Sequence, residues 1–148
     1  MDARSTRCSA GLAAAAWLAF SGPAAATSYR GSAVAKSSAH AALQAGKSDF
    51  VCKVTLIPAK KKGDQPGRQM TTRGLSLFDH PDQLGNYKAT IFEVESLPHD
   101  LTIEQRGNNK HHFEIVVTDC AQTGHPDAAE YQHRLDRVVL KDVTPHHP

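Results

Sequence analysis

Phe50-Val51-Cys52-Lys53-Val54-Thr55-Leu56-Ile57 decides the fold class. Phe50, Cys52, Val54 and Leu56 fall on one side of an extended chain; Val51, Lys53, Thr55 and Ile57 fall on the other. The run is short and rich in β-branched residues, so it reads as a strand and not as a helix. Pro58 ends it. Residues 58–68 (Pro-Ala-Lys-Lys-Lys-Gly-Asp-Gln-Pro-Gly-Arg) form a long polar loop.

Further strands follow. Gln69 to Phe78 is a second candidate, with Gly74 marking a bulge. Tyr87 to Glu95 alternates clearly, with Thr90, Phe92 and Val94 on one side. Leu101 to Gln105 continues the alternation after Pro98. Arg106-Gly107-Asn108-Asn109-Lys110 is a hairpin turn that leads into His111 to Thr118. Phe113, Ile115 and Val117 are its expected inner residues. The last element has two readings. Asp127-Ala128-Ala129-Glu130 has the spacing of a helix capping box. Val138-Val139 favours a strand from about Arg134, after a helical turn. Six candidate strands in about 95 residues imply a mainly β domain: a small antiparallel sandwich or barrel. From residue 27 on there is no Trp, and Thr118 stands two before Cys120, so an immunoglobulin framework lacks its marker residues.

The N-terminus reads as a secretory signal over residues 1–26. Arg4 and Arg7 precede an apolar run from Ala10 to Phe20. Ser21-Gly22-Pro23 breaks it, and Ala24-Ala25-Ala26 offers a cleavage site. The expected location is therefore periplasmic or secreted. Residues 27–48, rich in Ala and Ser, are expected to be a flexible arm. A short helix over Val34 to Ala45 is a second reading. The β domain is expected at 49–143 and a tail at 144–148.

Of three cysteines, Cys52 and Cys120 follow the leader. An even pair in an exported chain reads as one disulfide. No Cys-x-x-Cys occurs, which sets aside a redox pair.

The 148 residues carry a net charge of +2. Without Asp2, Arg4 and Arg7 the balance is fifteen cations against fourteen acids. That argues against a nucleic-acid binder, which carries a clear basic excess. No run of about 20 apolar residues is present for a helical membrane span. No motif implies a cofactor.

The longest loop concentrates charge: Lys60, Lys61 and Lys62, with Arg68 beyond them. Loops on rigid scaffolds are common recognition elements, so these four are the expected partner-binding residues. The leading expectation is a non-catalytic module that contacts another protein, as an enzyme inhibitor or immunity-type protein does.

Nine histidines make a second expectation, metal binding, with His111 and His112 as candidate ligands. Adjacent strand residues point to opposite faces, which weighs against the pair. A third expectation is a small hydrolase. It would use Asp79-His80 or His99-Asp100, with Ser76 or Ser96 as nucleophile. Glu93, Glu95, Glu104 and Glu114 alternate with apolar residues and are expected on a wet outer face.

Overall fold

The computed structural model describes residues 27–121 and 125–146. The proposed leader lies outside the described residues. The chain is mainly β, with an antiparallel six-stranded sheet, a two-stranded sheet and one disulfide. No helix among the described residues is long and apolar enough to cross a membrane.

The elements in chain order are β1 (Tyr29–Ser32), α1 (Ala39–Ala42), β2 (Val51–Ile57), β3 (Gly67–Arg73), β4 (Leu75–Phe78), a 3-10 helix (Pro81–Leu84), β5 (Thr90–Ser96), β6 (Leu101–Gln105), β7 (His112–Val117), α2 (Ala128–Leu135) and β8 (Val139–Asp142). The large sheet has the order β6-β7-β4-β1-β5-β8, and β2 pairs with β3 in the small one.

The 101–118 hairpin forms where the turn residues place it. Leu101 opposes Val117 and Gln105 opposes Phe113. The second strand candidate splits at Gly74. Its first half pairs with β2 and its second half with β7, Leu75 opposite Ile115. A Cβ at residue 74 would lie 1.6 Å from the Ile115 carbonyl oxygen and 2.7 Å from the Tyr131 hydroxyl. Only glycine lets the chain pass from one sheet to the other here.

The capping box forms a helix. The Asp127 side chain accepts from the Glu130 N–H, and α2 runs to Leu135 before a strand begins at Val139. Both readings of the last element are thus partly right: helix first, then a strand that starts later than Arg134.

The flexible arm is corrected. Within 27–48, Tyr29–Ser32 is an inner strand of the large sheet, flanked by β4 and β5. Tyr29 opposes both Phe78 and Glu93, and Ser32 opposes Thr90. Ser38 caps α1 by accepting from the Ala41 N–H. Arm and β domain fold together. The expected tail is also tied down at its start: the Thr144 hydroxyl oxygen accepts from the Ile91 N–H at 2.9 Å.

Leu75 and Leu77 of β4, Leu101 of β6, and Ile115 and Val117 of β7 share a core with Leu43, Tyr131, Leu135 and Val138. Cys52 and Cys120 join it and are bonded to each other. The bridge ties the base of the small sheet to the end of β7. It closes a separation of 68 residues, which in the chain-entropy account stabilises by about 4 kcal/mol.

Tyr131 is fully buried. Its hydroxyl donates to the Ile115 carbonyl at 2.6 Å and accepts from the Leu75 N–H at 2.8 Å. Its ring stacks on Phe50 at 4.5 Å between centroids. Burial holds its phenol well above the ordinary value. Tyr131→Phe strands one buried N–H and one buried carbonyl, which should cost about 1–3 kcal/mol. Urea unfolding should show a lower midpoint with an unchanged slope. An unchanged midpoint would mean that the hydroxyl contributes nothing net.

Candidate functional site

β2 and β3 pair over seven residues, from Val51 opposite Arg73 to Ile57 opposite Gly67. Their base is buried: Cys52 and Thr72, which oppose each other, are 7% and 8% exposed. Beyond Val54 the hairpin leaves the body. Every residue from Thr55 to Thr71 is exposed. At a rise of about 3.4 Å per residue the arm reaches about 17 Å from Cys52 to Ile57, before the loop.

Opposed residues of an antiparallel pair share a face. The face that carries Cys52 and Thr72 at its base continues through Val54 with Met70 and Leu56 with Arg68. The apolar side predicted for this strand therefore runs past the core into solvent. Leu56 is 65% exposed, Met70 55% and Ile57 43%. Along this side burial ends at Val54.

Lys60, Lys61, Lys62 and Arg68 lie on this arm, all exposed. Lys53 and Arg73 add two cations nearer its base. Sequence reasoning passed over both, although a charge count over the hairpin finds them. Residues 51–73 carry six cations and one acid, Asp64. The rest of the chain from residue 27 carries nine cations and thirteen acids. Charge is thus segregated: net +5 on the arm and −4 on the body, with histidines neutral. Among the described residues, none of the six arm cations is in an ion pair.

On the body, Lys88, Arg106, Arg134 and Arg137 are paired with carboxylates. Arg134 is 6% exposed and faces Asp119, Glu130 and Asp100. Its Nη2 donates to Asp119 Oδ2 at 3.0 Å and its Nε to Glu130 Oε1 at 3.1 Å. Arg137 Nη2 donates to Asp100 Oδ2 at 2.6 Å. The hydrogen bond from Arg134 holds the Asp119 carboxyl below its ordinary value. Desolvation pushes Asp100 up, but Arg137 and Arg134 outweigh it and hold it low too.

The histidine expectations fare differently. His111 precedes β7 and points Nδ1 at Asp79 Oδ1, 2.8 Å away. His112 opens β7, with Nε2 3.1 Å from Ser76 Oγ and Nδ1 3.2 Å from the Arg106 carbonyl oxygen. The two candidate ligands thus face separate partners. Among the described residues no group of three His, Cys, Asp or Glu side chains is placed to hold a metal ion.

The Asp–His dipeptides do not act as pairs. Asp79 engages His111 instead of His80, whose ring meets His111 edge-on at 6.0 Å. Asp100 engages Arg134 and Arg137 instead of His99. Ser76 does meet a histidine, His112, but a backbone carbonyl stands where a triad has its orienting carboxylate. Glu114 departs from the wet face altogether. It is 7% exposed and accepts from the Gly74 N–H at 3.0 Å.

No family model, no curated protein and no solved structure matches the chain.

Because the folded values of Asp100 and Asp119 lie below 3.8, their stabilisation is complete above about pH 5 and is lost as pH falls through the folded values. Melting temperature should drop as pH falls below about 5, and Asp119→Asn should drop less over that limb. Parallel acid limbs for the two proteins would remove Asp119 from this account.

Proposed function

We propose that this protein is an exported binding module that grips an acidic surface of another protein with the β2–β3 arm, acting as an inhibitor or immunity-type protein acts. One observation carries the reading: a hairpin that stands clear of the body, with six cations that have no ion-pair partner among the described residues, around exposed Leu56, Ile57 and Met70.

That composition fits contact with a protein better than simple solvation. A solvated tip needs charge but gains nothing from three exposed apolar side chains. An interface uses an apolar centre to exclude water and a charged rim to orient the partner. The register puts Leu56 beside Arg68 and Val54 beside Met70 on one face, so apolar and basic groups meet the partner together. The lysines also discourage indiscriminate edge pairing, which leaves the arm soluble while unoccupied. The arm has no aromatic residue between Val51 and Arg73 on which a base could stack, so nucleic acid is not the partner that this surface suits.

Export rests on the leader-like residues 1–26 and on the disulfide, a bond at home in oxidising compartments. An exported, untagged preparation should give the mass of a chain beginning at Thr27, less two hydrogens. A mass that includes residues 1–26, or one with free thiols, would place the protein elsewhere.

Changing Lys60, Lys61 and Lys62 together to Glu should weaken partner capture at least about a hundredfold, since like charges then face each other. Capture by the unaltered chain should also fall as salt rises. Equal capture by the altered chain would remove the arm from the function.

A further inference from the structure

A second site lies on the body, away from the arm. Arg30, Gly31, Ser76, Phe78, Leu84 and Tyr87 line a half-open cavity of about 350 Å³. It is roofed by the chain between β4 and β5. A Cβ on residue 31 would lie 1.9 Å from the Tyr87 carbonyl oxygen. Glycine at this position lets the roof come down onto β1.

Arg30 is the unusual member. Its Nε donates to the Ala42 carbonyl at 3.0 Å and its Nη1 to the Ser76 carbonyl at 2.9 Å. These contacts fix the guanidinium but do not neutralise it. No carboxylate lies within 4.0 Å of it among the described residues, in contrast to Arg134. Nη2 keeps its donors free of protein partners there. Burial depresses the guanidinium below its ordinary value, with the more distant Asp49 opposing that effect. A half-buried arginine in contact with neutral carbonyls alone lacks a counter-charge at hand.

The other walls say what should bring that charge. Ser76 offers a hydroxyl, held by His112 Nε2 at 3.1 Å. Phe78, Leu84 and Tyr87 are apolar, and Tyr87 is 60% exposed at the rim. Cavities of this size suit a small organic molecule, with few polar groups to orient it. We propose that this cavity binds a small organic carboxylate with an apolar body. Arg30 supplies the counter-charge, Ser76 a hydrogen bond, and Phe78, Leu84 and Tyr87 the contact for the body. An inorganic anion leaves that apolar wall unused. A neutral ring leaves Arg30 uncompensated.

Benzoate is the probe, titrated into the full disulfide-bonded chain and followed by amide chemical shifts. Benzamide and inorganic phosphate are the comparisons. Saturable shifts should centre on Gly31, Ser76 and Tyr87. Benzoate should bind about tenfold or more tightly than benzamide, the discrimination one charge-assisted hydrogen bond supplies. Phosphate should not saturate the same amides. Arg30→Met should abolish the preference for benzoate. Because Arg30 also braces β4 and α1, Tyr87→Ala is the second variant: it sits at the rim, should fold normally and should weaken benzoate severalfold. The variant with Lys60, Lys61 and Lys62 changed to Glu should bind benzoate as the parent does. Equal binding of benzoate and benzamide would overturn the proposal. So would shifts confined to the arm, or a folded Arg30→Met that keeps the preference.

Discussion

The hydroxyl of Tyr131 sits inside a β ladder. It joins β4 to β7, accepting from Leu75 and donating to Ile115. Three features meet at this point. The chain leaves the small sheet at Gly74, which has no room for a side chain. β4 begins its pairing with β7 at Leu75 opposite Ile115. The helix α2 lands its only tyrosine on both. Glu114 closes the same corner by accepting from Gly74, a buried carboxylate holding a backbone donor. The disulfide then secures the base of the hairpin from its other side. A rigid corner of this kind lets an arm of two strands project while its base stays registered with the core.

Where a local rule was strong, the sequence was readable. The turn at 106–110 and the alternation on either side produced the β6–β7 hairpin, and the Asp127 capping box produced α2. The cysteine pair was legible because the third cysteine, Cys8, falls in the stretch read as a leader. The inner strand β1 was not legible. Tyr-Arg-Gly-Ser has no apolar alternation, and its glycine serves a close approach that only the fold creates. Glu114 misled for a related reason. Alternation assigned it to one face of β7, but that face is covered near Gly74, so position in the period did not mean water. The alternation of strand β2 carried no mark of where burial stops: the body ends at Val54 and the strand does not. The four expected basic residues of the arm were identified from their loop. Lys53 and Arg73 were overlooked because they are scattered through strands and form no run. Arg30 gave no signal at all, since its setting consists of backbone carbonyls contributed by α1 and β4.

Charge follows the same division as architecture. On the body, Arg106, Arg134 and Arg137 are matched to carboxylates, Arg30 being the exception. On the arm the arginines are not. An uncompensated positive projection from a net negative body produces a field with direction as well as strength. Such a field orients the molecule before contact, so the arm leads in any approach to an acidic surface. Direct contacts then need only hold what the field has already aligned.

β1 also sets the order of events as the chain folds. It comes early in the chain, yet its partners begin at Phe78 and end at Glu93. Without it, β6-β7-β4 and β5-β8 are two separate ribbons. The large sheet therefore stays open until most of the chain has been made. Closure then falls to a four-residue segment near the leading end, so the strand synthesised earliest completes the sheet last.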